Sequence, residues 1–499
     1  MIKQQSLVLS PYIALYDICI PQNHELRQLA ELVDFSFVDD MLKEMYTLDN
    51  GRPGYQPQVM FKYLLLKRMY ELSDRDVVNR ARTDLAFKFF LNLAPEDEVI
   101  DASSLTKFRK LRMKDESIMD KLIAKSVEIA LNNGIKLSKT LIVDSTHSEA
   151  RYNAKSAREY LLEVCKNLRK KVYDIDESYT SKMPKKPENS KIGLYDYVVE
   201  YCQNVVDLVN KDETLMVHQN VKETLNLLQE TINDINEELL ISKDADAKIG
   251  HKTADTSYFG YKTHLAMTPE RIITAATVTS GEKPDGKELS TLVKKMKSNG
   301  VEVENIVGDG AYSERDNIKY ANENDIKLVS NLSNCVSGND KLRKTDLEFT
   351  YNKDAKMYVC PNGELAFRKA QHGKKKIHGE DEALYVTYYF DVNKCKNCPL
   401  KEKCGFKDSQ KSKTYSIKIK MADIHEEHKK KQESEEYKVL SHERYKIEAK
   451  NAELKNEYGY AYASYAGLHG MTIQAGVSIF VVNLMRILRL KNEKTENKK

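Results

Sequence analysis

Two short apolar runs, far apart in the chain, each lead straight into an aspartate. Leu141-Ile142-Val143 precedes Asp144, and Ile306-Val307 precedes Gly308-Asp309-Gly310. Runs this short and this rich in β-branched residues read as buried strands. The chain is therefore expected to build a sheet in which two buried strands end in carboxylates. One such aspartate is ordinarily a solvated strand end. Two on neighbouring strands can hold divalent cations of the Mg2+ type, which take oxygen ligands and keep several waters. Two such ions about 4 Å apart activate an attacking oxygen and stabilise the leaving oxygen of a phosphodiester. The glycines beside Asp309 let the backbone turn sharply and let a bulky polyanion approach.

Residues 1–135 read as helical. Gln58–Leu72 is apolar on more than one face, as in a buried helix, and Ser73 with Asp76 starts a further helix expected to reach FKFFLNL. In DASSLTKFRKLR (101–112), Ser103 or Ser104 caps a helix that buries Leu105, Phe108 and Leu111 and projects Lys107, Arg109, Lys110 and Arg112. A helical unit ending in a basic helix suits DNA binding, with a solvated helix face as the plain alternative. Residues 258–280 read as two strands around a turn at Pro269-Glu270. Gly286–Asn299 reads as a helix, and Val303–Val307 and Ile326–Asn331 as strands. Residues 151–245 are helical: Val221, Leu225, Leu228, Ile232, Ile235 and Leu239 recur at alternating spacings of four and three, the seam of one helix packed on another. SKMPKKPENSK (181–191) is a polar connector between the helical arms.

A chain of 499 residues is expected to hold two to four modules. A net charge of only +4 leaves nucleic-acid binding to local patches. No basic region followed by an apolar core opens the chain. The most apolar segment, Met471–Met485, is shorter than the roughly 20 residues of a membrane span and reads as a buried helix. A cytoplasmic protein that does not use a membrane is expected. Among the cysteines, Cys19, Cys165 and Cys202 read as ordinary buried thiols. Cys360, Cys395, Cys398 and Cys404 are spaced C-x34-C-x2-C-x5-C, with Cys335 as a spare. They suit either a four-thiolate structural zinc site or reduced cysteines without metal. Their surroundings are lysine-rich (HGKKKIHG, 372–379; KSKTYSIKIK, 411–420), as a DNA-facing surface would be.

A third carboxylate is offered by SHERYKIEAKNAELK (441–455). Read as a helix, it puts Arg444, Glu448 and Lys455 on one face. Glu448 is then placed to reach a metal while Arg444 and Lys455 hold phosphates; an exposed Arg444–Glu448 surface pair is the bland alternative.

Four pieces, GRPGYQP…LAFKFFLNL, LIVDSTH, IVGDGAY and RYKIEAKNAELK, resemble the DDE transposases of bacterial insertion sequences, over nearly the whole chain. The resemblance implies an α/β fold: an RNase H-like mixed sheet flanked by helices, with an N-terminal helical DNA-binding domain, a helical insertion and a small cysteine-rich insertion. The expected boundaries are 1–135 for the N-terminal domain, 136–150 for the first core strand, 151–250 for the helical insertion and 251–333 for the continued core. Residues 334–434 form the cysteine-rich insertion, a zinc ribbon if metal is held. Residues 435–490 carry the glutamate helix, and 491–499 a disordered tail.

The family places its first aspartate on the first core strand, its second after the fourth, and its glutamate on the helix that follows. Those positions match Asp144, Asp309 and Glu448, which are then the catalytic residues and the ligands of Mg2+ or Mn2+. Part of the family carries a Y-x2-R-x3-E-x6-K signature. Arg444, Glu448 and Lys455 match it, but Ser441 stands at the tyrosine, which leaves the use of a DNA hairpin open. GYKTHLAM (260–267) and Asp285-Gly286-Lys287 resemble the family's second strand and the loop after its third, with Lys262 facing DNA or solvent.

The implied function is a transposase that binds terminal inverted repeats and catalyses cleavage and strand transfer. Its partners would be double-stranded DNA and a second copy of the chain. The expected phosphate contacts are Arg444, Lys455, Lys262, Lys107, Arg109 and Arg112. A nuclease that no longer transposes and a zinc-containing DNA-binding protein are the alternatives; the complete acidic set argues against the latter.

Overall fold

A computed structural model describes residues 10–46, 54–153, 155–186, 195–235, 240–251, 256–332, 349–352, 357–372, 384–407, 409–411, 413–420 and 423–496. Local rules explain the N-terminal helices. Pro57–Met69 starts on a proline, which suits the first helical turn, and buries residues all round. Ser73 caps Asp74–Thr83 by accepting the Asp76 N–H at 3.1 Å. The single helix expected to reach FKFFLNL is in fact two. Asp84 ends the first and caps Leu85–Phe90, accepting from the N–H groups of Ala86 and Phe87. Helix Ala102–Arg112 is capped by Asp101 rather than by Ser103 or Ser104. Its buried stripe is also turned from the expected one. Leu105 and Phe108 are buried, but Leu111 is 52% exposed and Arg109 faces inward, because Asp74 waits there as its partner.

The main sheet is built from β1 (Thr140–Glu149), β2 (Ser257–Met267), β3 (Ile273–Ser280), β4 (Asn305–Val307) and β5 (Lys327–Val329). Their spatial order is β3-β2-β1-β4-β5. The first three run antiparallel; β1, β4 and β5 run parallel. A short strand, Lys248–His251, pairs with the first half of β2. β1 does not stop at Asp144, as the apolar run suggested. It continues to Glu149 because β2 accompanies it, from Ile142 opposite Met267 to Glu149 opposite Gly260. On its other edge β4 pairs only with Thr140, Leu141 and Ile142.

One hydrophobic cluster joins the N-terminal helices, the sheet and the final helix, so those helices share their core with the sheet. The final helix, Leu468–Glu496, is long and apolar enough to cross a membrane, but 83% of its apolar window is buried inside the fold. It includes the expected buried segment Met471–Met485 and carries helix through 491–496, part of the stretch expected as a disordered tail. Residues 497–499 lie outside the described residues.

Ala157–Tyr173, Tyr195–Asn210 and Gln219–Asp234 pack on a core of their own. Val221, Leu225, Leu228 and Ile235 are buried there, with Ile232 against it. Leu239 and the end of the 181–191 connector lie outside the described residues. Cys165 and Cys202 are buried, but Cys19 is exposed, since its short helix Leu15–Cys19 buries only Tyr16. In the cysteine-rich region, Arg368–His372, Leu384–Phe390 and Lys413–Lys420 form an antiparallel sheet with a small core of Ala366, Val386, Tyr388 and Phe390.

Asn483 ties the final helix to the sheet. Wholly buried, it accepts the Ile273 N–H at 2.9 Å and donates to Ile273 O and Ser126 Oγ, each at 2.8 Å. Replacing it with leucine leaves the polar groups at the start of β3 unpaired, a cost of about 1–3 kcal/mol per group. Asn483→Leu is expected to lower the urea midpoint; an unchanged midpoint would show that this tie contributes nothing.

Candidate active site

The site forms where β4 leaves β1. Beyond Val307, Gly308 still donates to Val329 O at 3.0 Å, and a Cβ on it would lie 2.7 Å from the Tyr312 ring and 2.9 Å from Val143 Cγ2, so only glycine fits between them. Asp309 follows and caps the short turn Gly310–Ser313, accepting the Ala311 N–H at 2.9 Å. Its carbonyl accepts from the Ser330 hydroxyl beside β5. Across the gap, Asp144 is half-buried on β1 and accepts from Asn451 Nδ2 at 2.9 Å. Burial pushes the Asp144 carboxyl up to about 6, and the negative charges of Asp309 and Asp285 add to that, against the Ser145 N–H and Arg444. Asp144 and Asp309 are thus close enough to repel one another.

Asp285, in the turn after β3, braces both sides. Its Oδ2 accepts from Ser145 Oγ at 2.9 Å, and Lys262 Nζ lies 2.9 Å from its Oδ1. His264 Nδ1 is 3.7 Å from the same oxygen, and burial pushes that imidazole down to about 4. The neighbouring Gly286 packs on the loop of Asp309. A Cβ on it would meet Ala311 O at 2.6 Å, and its carbonyl accepts from Asn317 Nδ2 at 2.9 Å. Tyr312 is wholly buried beside these groups. Burial drives its phenol well up, helped by the charges of Asp285, Asp144 and Asp309, and its hydroxyl has no hydrogen-bond partner among the described residues.

Helix Tyr445–Glu457 runs past the opening of the site. Arg444, Glu448, Asn451 and Lys455 recur at spacings of four, three and four, on one face. Asn451 touches Asp144, and Lys455 Nζ lies 3.3 Å from His147 Nδ1. Glu448 is exposed and pairs with Arg444 at 2.7 Å. Among the described residues, no three His, Cys, Asp or Glu side chains are grouped as ligands of one ion. Asp144 feels the charge of Asp309, while Glu448 sits one turn from Asn451 and pairs with Arg444. The surface pair weighed as the bland alternative is present.

The other expected DNA contacts divide. Lys107 is exposed. Arg109 is buried and grips Asp74 with both Nη atoms. Arg112 donates to Met45 O and stacks over Tyr46. Lys262 is turned inward to Asp285 and to Lys283 O. Asn451, Ser145 and Tyr312 were not anticipated as site residues, nor was a role for Asp285. Asn451 could have been found, since it completes the Arg444–Glu448–Lys455 stripe.

Cys360, Cys395, Cys398 and Cys404 are all partly buried. Burial raises the Cys395 thiol, and charge on Cys360, Cys404 and Cys398 would raise it further, which puts the four in one neighbourhood. Three of them line a cavity of about 450 Å3. Cys335 lies outside the described residues.

Two family models match the chain. One, described as a transposase domain (DUF772), matches residues 15–111. The other, described as a transposase DDE domain, matches residues 359–488 and includes Glu448. Both aspartates lie outside the matched spans. The two matches support a DDE transposase of insertion-sequence type, and the DDE domain is that of a DNA transposase, an enzyme with metal-dependent catalysis. No curated protein matches the chain.

The raised Asp144 carboxyl makes a prediction about stability. The folded protein holds this proton more tightly than the unfolded chain does, so the associated stability is full below about pH 4 and is lost as pH rises through about 6. In chelator, Asp144→Asn is expected to melt higher than wild type at pH 8, by up to about 3 kcal/mol. The two should converge near pH 4. A difference that does not change with pH would contradict the burial of this charge.

Proposed function

We propose that the chain binds the terminal inverted repeats of an insertion sequence, cleaves at their ends and transfers the strands into target DNA. We place this chemistry on an RNase H-like core, in a homodimer acting in the cytoplasm. The observation that carries the reading is the Asp144–Asp309 pair where parallel β1 and β4 part. Ligand sites in such sheets lie where strands diverge at their carboxyl ends. The order β3-β2-β1-β4-β5, three strands antiparallel and two parallel to β1, supports the RNase H-like assignment.

Carboxylate oxygens are the donors a hard divalent cation takes, and here two, not three, come together among the described residues. Two carboxylates stand at the opening, and the buried Tyr312 hydroxyl beside them lacks a partner among the described residues. Asp144, Asp309 and Glu448 would hold Mg2+ or Mn2+, which when bound polarises the scissile phosphate and lowers the pKa of an attacking oxygen. The chain's own residues do the rest. Asn451 fixes the Asp144 carboxylate from the helix side, and Ser145 with Asp285 braces the strand behind it. The Arg444–Glu448 pair is exposed, so it is worth at most about 1 kcal/mol and exchanges readily. Were Glu448 to serve as a cation ligand, the Arg444 guanidinium would be free to present its fork to a phosphate. Lys455 adds a point charge two turns further along.

The spacing of Cys360, Cys395, Cys398 and Cys404 is the ground for a structural zinc site, although no three of them are grouped as ligands of one ion among the described residues. Thiolates in one neighbourhood, with backbone turns at Cys360 and Cys395, would fold the small sheet around the ion.

Asp309→Asn and Glu448→Gln are expected to abolish cleavage of a duplex carrying the element's end in Mg2+ while retaining duplex binding, which comes from Lys and Arg. Near wild-type nicking by either variant would overturn the assignment. For the zinc site, elemental analysis should find about one zinc per chain, lost in Cys398→Ser. Metal-free protein with a folded cysteine-rich sheet would refute it.

A further inference from the structure

A cleft of about 900 Å3 lies where the N-terminal helices meet the segment after Tyr460, away from the paired aspartates. Its floor is Tyr465, with Arg109 Cζ 4.4 Å and Lys67 Nζ 5.0 Å from the ring centroid. Asp74 pairs with both cations. Burial alone would raise the Tyr465 phenol, yet Arg68, Arg109 and Lys67 hold it below its ordinary value, so positive potential prevails on the floor despite Asp74. The rim carries Arg75, Lys110 and Arg151, all exposed. Arg151 is held in place by donating to Ser464 O at 3.0 Å. Five lysines and arginines line the cleft against two carboxylates, Asp74 and Asp246.

The position of the cleft matters as much as its charge. β1 runs from Asp144 past His147, where Lys455 sits, to Glu149, which pairs with the Ala461–Ala463 segment leading to Tyr465. Six strand residues span about 20 Å. A duplex whose scissile phosphate lay at Asp144 and whose axis followed β1 would bring later phosphates, spaced about 3.4 Å along each strand, to the cleft. Rim cations then meet the backbone while the floor, already paired by Asp74, fixes the rim's shape.

We propose that this cleft is a second DNA-backbone contact, in which Arg75, Lys110 and Arg151 neutralise phosphates of the duplex engaged at the acidic site. The duplex's path along β1 rests on the transposase reading; the charge of the cleft does not. The test is equilibrium binding of the full chain to a duplex of about 40 base pairs over a range of salt concentrations, which needs no cleavage. In the Lys110→Ala/Arg151→Ala double variant, the slope of log affinity against log salt should fall by about two, and affinity near physiological salt by about tenfold. Both side chains are exposed, so the melting temperature should stay at the wild-type value. Asp309→Asn, run in parallel, should keep the wild-type slope. A double variant with wild-type slope and affinity would overturn the proposal, and would mean the cleft receives something other than DNA. Failure of the wild type to cut element ends would count against the transposase reading and leave the cleft's measured slope standing.

Discussion

The site depends on a difference in how far β1 is accompanied on its two edges. β2 pairs with it to Glu149, while β4 pairs with it only as far as Ile142. The first pairing keeps β1 rigid well past Asp144. The second ends just short of it, so the chain leaves β1 at Gly308 and turns after Asp309, at Gly310–Ser313. A β4 of full length would cover Asp144 and carry Asp309 further on. The narrow space between Val143 and Tyr312 admits only glycine at 308, which lets the loop of Asp309 pack this close to β1.

Two like charges half out of water are unfavourable without a counter-charge, and the surrounding groups hold them in place rather than neutralise them. Asn451 offers an amide N–H, Ser145 leads to Asp285, and Asp285 is itself matched by Lys262. Arg444, whose charge opposes the rise at Asp144, is paired with Glu448 on an exposed helix face. The opening is thus negative, and under the proposed function its partner would be a divalent cation. Glu448, one turn from Asn451, is paired with Arg444 on the exposed face.

Much of this architecture was legible in the sequence, because apolar period and caps are local signals. The β-branched runs marked β1 and β4, the alternating spacings marked the packed helix at 219–234, and Ser73 marked a helix start. What failed depended on partners distant in the chain. Nothing near Asp144 says that β1 continues to Glu149; that follows from the length of β2. Arg109 looked like a DNA contact on its own helix, but Asp74 and Tyr465 turn it inward. Lys262 looked solvent-facing on an alternating strand until Asp285 was folded against it. Asp285 had only the family's loop to recommend it, since an aspartate before a helix is an ordinary turn residue. Asn451 is legible by spacing alone, since it lies on the stripe of Arg444, Glu448 and Lys455.

The central claim is that Asp144 and Asp309 form a cation site that Glu448 completes. Titration of the full chain with Mn2+, followed by the electron paramagnetic resonance of the free ion, tests it without DNA or knowledge of the element's ends. Saturable binding is predicted for wild type, abolished in Asp144→Asn and in Asp309→Asn, and weakened but still present in Glu448→Gln. Wild-type Mn2+ binding in either aspartate variant would contradict the account.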